Sequence, residues 1–197
     1  MNEQYEIEFK NSLTKEQYEN LLKKFAVPEE DIVRQTNHYF DTDEWHLKNL
    51  ASGLRIRETN NRIVCTLKVK TDEHTHLETT DTLTKEERDD MLNSKGFYAP
   101  TVKARLLELN VPIDRLRLFG TLTTDRVELP YEGGLLVFDH SFYLDQDDYE
   151  VEFEANDAQV GQEIFLQFLK KHDISVKAAD KKIARFMKAL KEKKGEV

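Results

Sequence analysis

With 197 residues, 39% hydrophobic and 34% charged, the chain is too charged for an integral membrane protein and too apolar for disorder, and it is long enough to bury one sizeable core. Its formal net charge of −9 argues against a broad nucleic-acid surface, because phosphate backbones are held by Lys and Arg, but it leaves room for a small anionic ligand in a locally basic pocket. Cys65 is the only cysteine, which excludes an intrachain disulfide and a multi-cysteine metal site and agrees with a reducing compartment.

The opening MNEQYEIEF has no basic stretch leading into an apolar one, and runs such as GLLVF and IFLQFL fall far short of a bilayer span. A cytoplasmic protein without membrane contact is therefore expected. EIEFK, Glu6 to Lys10, reads as the first strand. Thr14 with Gln17 three residues on makes a capping-box signal, and Leu21, Leu22 and Phe25 supply an apolar stripe, so a helix is predicted over Lys15 to Phe25. Pro28 ahead of EEDI predicts a short helical turn.

From Val33 the pattern changes to period 2 with β-branched and aromatic residues, and VRQTNHYFDT, GLRIRET, NRIVCTLKVK and THLETTDTL read as strands. ETNNR, Glu58 to Arg62, is a turn that joins Leu54 to Glu58 with Ile63 to Lys70 in an antiparallel hairpin. A helical block follows, opened by the capping box of Thr84 and Glu87, with Gly96 placed to end its first helix and PTVKARLLELN continuing it. LFGTLTTDRVELPY returns to strand character, and EGGLLVFDHSFYL with DDYEVEFEA forms a further hairpin. Two amphipathic helices, DAQVGQEIFLQFLKKHD and VKAADKKIARFMKALKEKKG, close the chain with lysines where they complement the helix dipole, and KALKEKKGEV reads as a solvated helix end. Without a repeat or a flexible linker, one α+β domain over residues 1–197 with about eight strands is the simplest organisation.

Residues i and i+2 of a strand share a face. Glu6, Glu8 and Lys10 therefore lie opposite Ile7 and Phe9; Arg55 and Arg57 opposite Leu54 and Ile56; Thr66, Lys68 and Lys70 opposite Cys65, Leu67 and Val69; Thr124, Arg126 and Glu128 opposite Val127 and Leu129; Glu150, Glu152 and Glu154 opposite Val151 and Phe153. For any one strand, a sheet with its charged side in water explains the alternation. Like charges on one face sit roughly 7 Å apart, however, and here they are segregated by sign. Carboxylates suit Mg²⁺ or Mn²⁺, whereas Arg and Lys suit phosphate oxygens, so a metal with a polyphosphate would neutralise both sets. The geometry that follows is an inside-out barrel, with apolar faces against outer helices and charged faces around a cavity that holds one small ligand.

EIEFK fits the ExExK signature that opens the CYTH domain, the family of triphosphate tunnel metalloenzymes. HYFDT with LASGLRIR resembles its tyrosine-aspartate step and paired-arginine strand, TLKVK its lysine strand, LETT the acid of the next strand, DRVEL the later arginine, VFDHSFYLDQDDYEVEFE the aspartate and closing E-x-E strand, and DKKIARFM the lysine-bearing last helix. The ordered series covers nearly the whole chain and is most similar to the small bacterial YjbK-like members. The resemblance implies a closed eight-stranded antiparallel β-barrel with a charged interior, helices outside, and Mg²⁺ or Mn²⁺ as cofactor. It implies that Glu6, Glu8, Glu150 and Glu152 hold metal, with Glu78 and Asp139 as further acids, and that Lys10, Arg55, Arg57, Lys68, Arg126 and Lys182, or in its place Lys181, bind phosphates. Glu6, Glu8, Lys10, Arg57 and Glu152 are the residues on which catalysis is expected to rest. HLETT departs from the family pattern at Thr80, and Lys70 and Glu154 extend the usual pairs by one inward position, toward the tunnel mouth.

The expected reaction is hydrolysis of a terminal phosphoanhydride in a small-molecule triphosphate, by a monomer or homodimer without nucleic-acid duplex or membrane partners. Basic residues position the phosphates, and metal lowers the pKa of the attacking water. A class IV-type adenylate cyclase and a non-catalytic polyphosphate or nucleotide binder are the alternatives. His74 and His76 share a face but lack a third ligand at diagnostic spacing for zinc, and they read as surface histidines. Tyr39, Trp45, Tyr131 and Tyr143 read as packing residues. Asp139 reads either as a metal or base-orienting group or as a turn residue before HSFY.

Overall fold

Alternating apolar and polar positions commit long stretches of the chain to strands, and punctuation by Gly, Asn and Asp sets where they turn. The computed structural model describes residues 2–177 and 179–194. Among the described residues eight strands, β1 (Glu3–Leu13), β2 (Val33–Asp41), β3 (Ser52–Glu58), β4 (Ile63–Lys70), β5 (Thr75–Thr82), β6 (Arg117–Tyr131), β7 (Gly134–Tyr143) and β8 (Gln146–Ala155), close into an antiparallel barrel in the order β1-β5-β4-β3-β2-β6-β7-β8. Six helices accompany them: α1 (Lys15–Lys24), α2 (His46–Asn49), α3 (Lys85–Leu92), α4 (Pro100–Glu108), α5 (Ala158–Lys171) and α6 (Lys182–Lys194).

The chain divides into two compact units, Met1–Tyr5 with Gln35–Thr121 and Glu6–Arg34 with Leu122–Val197. In the first, Leu54 and Ile56 of β3 and Cys65 and Leu67 of β4 bury their side chains with Met91 of α3 and with Val102 and Leu106 of α4. Asp81 at the end of β5 accepts hydrogen bonds from the N–H groups of Thr101 and Val102 at 2.8 and 2.9 Å, which caps α4 from a strand instead of from its own N-cap. Asp41 likewise takes the N–H groups of Leu47 and Lys48 at 2.9 and 3.0 Å, so this aspartate of HYFDT anchors α2.

In the second unit Phe9, Val127, Leu136, Phe138, Val151 and Phe153 form a core with Tyr18 and Leu21 of α1 and Phe165, Phe168 and Leu169 of α5. In both units the apolar strand face is the one covered by helices. In a closed sheet the opposite face, which carries the alternating charges, is the inner one.

Both predicted capping boxes form, at Thr14 with Gln17 and at Thr84 with Glu87. Two boundaries differ from the sequence reading. The helix expected to end at Gly96 ends at Leu92, because Asn93 caps it and Ser94 takes the left-handed turn at φ 57°. The last helix begins at Lys182 instead of near Val176, since the preceding segment is spent on β1: Ser12 N–H donates to Lys177 O at 2.9 Å, and the Asn11 side chain donates to Ser175 O and accepts from Lys177 N–H. Helix α6 continues through the expected solvated end, where Lys191 and Glu192 are exposed, and residues 195–197 lie outside the described residues.

Candidate active site

Register alone gathers the acids of the second unit. β6 pairs with β7 so that Arg126 faces Asp139, β7 with β8 so that Asp139 faces Glu150, and β1 with β8 so that Lys10 faces Glu152. Asp139 therefore lies in mid-strand and is fully buried, which removes the reading of it as a turn residue. Asp139, Glu150 and Glu152 are 0%, 1% and 3% exposed, and each offers a carboxylate oxygen within 4.8 Å of the others. Burial on this scale needs compensating positive charge.

Arg126 supplies part of that charge through a two-pronged contact with Asp139 at 2.8 and 2.6 Å and a third bond to Glu152 at 2.8 Å. Lys182, the first residue of α6, places Nζ among all three acids, 2.8 Å from Asp139, 2.7 Å from Glu152 and in contact with Glu150. Lys10 contacts Glu8 and lies 4.0 Å from Glu152. One helical turn after Lys182, Arg185 grips both oxygens of Asp148 at 2.8 and 2.9 Å and reaches Glu150 at 2.5 Å, while the Tyr143 hydroxyl donates to Asp148 at 2.5 Å.

These contacts split the ionisation of chemically similar groups. Burial opposes ionisation of Asp139, but Arg126 and Lys182 outweigh it and hold the carboxyl well below the usual range. Burial and the neighbouring Glu8 push Glu152 upward. Burial also pulls Lys182 down to about 7, with Asp139 resisting and Arg126 and Lys10 adding to the fall. Lys10 ends above the ordinary lysine value, because Glu8 and Glu152 outweigh its burial. Glu154, one inward position further along β8, is raised to about 7 by burial and by Glu6.

The first unit carries a further set of cations on β3 and β4. β3 aligns Arg55 with Thr66 and Arg57 with Val64, and β4 aligns Lys68 with Glu78 and Thr66 with Thr80, all on the face away from the helices. Glu78 Oε1 lies 3.9 Å from Arg55 and 3.7 Å from Lys68, so the acid of LETT is engaged by the cations of its own unit. Arg57 Nε donates to Asn37 Oδ1 at 2.9 Å, and Asn37 is 1% exposed. A polar cavity of about 460 Å³ opens here, lined among others by Arg55, Arg57, Arg62, Thr66, Glu78 and Thr80.

Lys70 is exposed at the end of this face, opposite His76. His76 is 5% exposed, so it is not the surface histidine expected from DEHTH; its period-2 position puts it on the inner face beside Glu78. Among the described residues, the group at metal-ligating spacing is Asp139 with Glu150 and Glu152, and it contains no histidine. Three buried oxygen donors suit a hard divalent cation, and the Lys182 side chain lies against all three. Arg185, Asp148 and Asn37 escaped the sequence reading.

Known proteins resemble this chain over nearly its whole length. A family model described as the CYTH domain matches residues 4–187. YjbK of Bacillus subtilis, named as a candidate triphosphatase, is 40% identical over 188 residues, which cover 94% of this chain and 96% of that protein. The crystal structure of bh2851 from Bacillus halodurans, described as a candidate adenylate cyclase, superposes with a TM-score of 0.90 at 40% identity over 94% of this chain and 99% of that one. HpAC1 from Hippeastrum, described as a candidate adenylyl cyclase with a dominant triphosphatase activity, shares the fold at a TM-score of 0.76 and 21% identity, over 94% and 95% of the two chains.

Proposed function

The chain belongs to the CYTH domain family, and from that premise we propose that it is a divalent-metal-dependent hydrolase of triphosphate-containing small molecules. The observation that carries this reading is the buried trio Asp139, Glu150 and Glu152, held at metal-ligating distance by strand register and braced by Arg126 and Lys182. Those three carboxylates, with Glu6 and Glu8, would hold Mg²⁺ or Mn²⁺, which when bound polarises a phosphate oxygen and lowers the pKa of a coordinated water.

The remaining work falls to this chain's own cations. Arg55, Arg57, Lys68 and Lys10 bind phosphate oxygens and offset charge on the transferring group, Arg57 with its guanidinium fixed by Asn37. Arg126 is spent on Asp139 and Glu152 and acts by orienting them. No covalent nucleophile is required. Cys65 is fully buried, burial pushes its thiol far up, and its neighbours are the apolar residues of β3 and α4.

The test is phosphate release from tripolyphosphate, ATP and thiamine triphosphate with Mg²⁺ and with Mn²⁺. Glu152→Gln and Arg57→Ala should each lower kcat/KM by about 100-fold or more while circular dichroism stays unchanged, and a chelator should abolish turnover. Equal turnover in the parent and both variants defeats the assignment. The likeness to bh2851 favours cyclase chemistry as the second reading, and cyclic AMP formed from ATP in place of released phosphate would establish it.

A further inference from the structure

The first unit holds a second hollow, of about 480 Å³, that involves none of the charged inner-face residues. It lies among α3, α4 and the segment that leads from α4 into β6, against Phe40 of β2. Phe40, Met91, Val111 and Leu116 line it and are each no more than 7% exposed, and the half-buried Phe97 joins them. Its walls are pinned. Val111 N–H donates to Leu106 O at 3.0 Å after the left-handed turn at Asn110 (φ 56°). On the other side the Tyr98 ring covers Gly96, where a Cβ would sit 2.8 Å from the ring, and the Tyr98 hydroxyl donates to Asp90 of α3 at 3.1 Å.

Packed interiors leave few voids larger than a water molecule, and a hollow of this volume falls in the range of small-ligand pockets. Leu107 of α4 borders it and is 59% exposed, so apolar surface is left for an occupant to cover. The lining also carries three charged side chains, Lys103, Asp114 and Arg117, all exposed. Neither Lys103 nor Asp114 has a side-chain ion pair or hydrogen bond among the described residues. Arg117 spends Nη1 on the carbonyl oxygens of Asp114 and Leu116, at 2.8 Å each, and has no carboxylate partner there. Two cations against one acid leave one positive charge unanswered around an apolar hollow.

We infer that this hollow is a binding site for a medium-chain carboxylate, its hydrocarbon body against Phe40, Met91, Phe97, Val111 and Leu116 and its head at Lys103 and Arg117. Apart from the three charged groups, the only polar side chain in the lining is Ser94, which suits a hydrocarbon body over a hydroxyl-rich one. Asp114 opposes a dianionic phosphate head more than a singly charged carboxylate. The site stands independently of the hydrolase reading.

Isothermal titration of the full chain with octanoate, octyl phosphate, octanol and octylammonium tests it. Octanoate should bind one to one with Kd about 100 µM, as about ten heavy atoms in a preformed apolar site allow. It should bind about fivefold tighter than octanol, as much as exposed cations supply, and tighter than octyl phosphate and octylammonium. Lys103→Gln should bring octanoate to the level of octanol, whereas Lys85→Gln, an exposed cation of α3 outside the lining, should leave both unchanged. Leu107→Asn should weaken octanoate and octanol alike by about threefold. Both lining positions are exposed, so thermal melts of these variants should match the parent. Excess tripolyphosphate should not displace octanoate, which separates this site from the charged inner face. A Kd for octanoate above about 1 mM, no preference over octanol, an unchanged affinity in Lys103→Gln, an equal loss in Lys85→Gln, or displacement by tripolyphosphate overturns the inference.

Discussion

At the scale of single residues, the protein uses like side chains for unlike purposes. Glu152 is a buried inner-face acid pushed upward, whereas Glu58, at the end of β3, lies outside that cluster and bonds His38 Nε2 at 2.7 Å and Arg88. Burial would raise Glu58, but Arg88 and His38 outweigh it and hold its carboxyl below the usual glutamate range. A depressed folded-state pKa contributes stability that is present above the unfolded value and is lost as pH falls through the folded one. Glu58→Gln should therefore lower Tm at pH 7 by about 2–4 °C, the shift that about 1 kcal/mol produces at this size for a partly buried pair. Thermal melts at stepped pH should show that deficit shrinking below pH of about 4.5 and vanishing under the depressed pKa. Residue identity made the alternating acids and arginines readable from sequence. It did not reveal Arg185, because a lysine- and arginine-bearing terminal helix looks the same whether it faces water or grips Asp148 and Glu150.

At the scale of elements, local chemistry was legible where it is self-contained. Thr14 with Gln17 and Thr84 with Glu87 start their helices without help from the rest of the fold. Where a boundary depends on a distant partner it was not legible: the start of α6 is set by the pairing of residues 175–177 with Asn11 and Ser12, some 164 positions away for Asn11 and Ser175. Helix α5 depends on a close approach of the same kind. A Cβ on Gly161 would sit 2.4 Å from Ala155 Cβ and 2.8 Å from the Phe9 ring. Gly161→Ala should destabilise by about 1–3 kcal/mol through overpacking, although alanine in a free helix would add about 1 kcal/mol. Gly53→Ala, whose Cβ meets nothing within 4 Å, is the control that should melt near the parent temperature. Denaturant midpoints compare the three proteins, and an unshifted Gly161→Ala midpoint would show that α5 stands further off.

For the whole molecule, the division into two units falls inside β1, β2 and β6, not between elements. Each unit has its own apolar cluster, yet three strands belong to both, and melting one unit unravels hydrogen-bonded strands of the other. We expect a single transition. Trp45, the only tryptophan, reports on the unit that contains Gln35–Thr121, while far-UV circular dichroism reports on every strand. The two signals should share one midpoint, and separate midpoints would mean that the units unfold independently.

Sheet closure also bears on how such a charged sequence survives in a crowded solution. An open sheet of eight strands would present two rims of unpaired amides to which a stray chain can add itself, the first step toward fibrous deposits. A ring of strands has no such rim. Segments like EIEFK and EVEFE, whose phenylalanines and isoleucine would otherwise invite recruitment, therefore stay safe by topology, and the chain is free to spend its carboxylates on the inside.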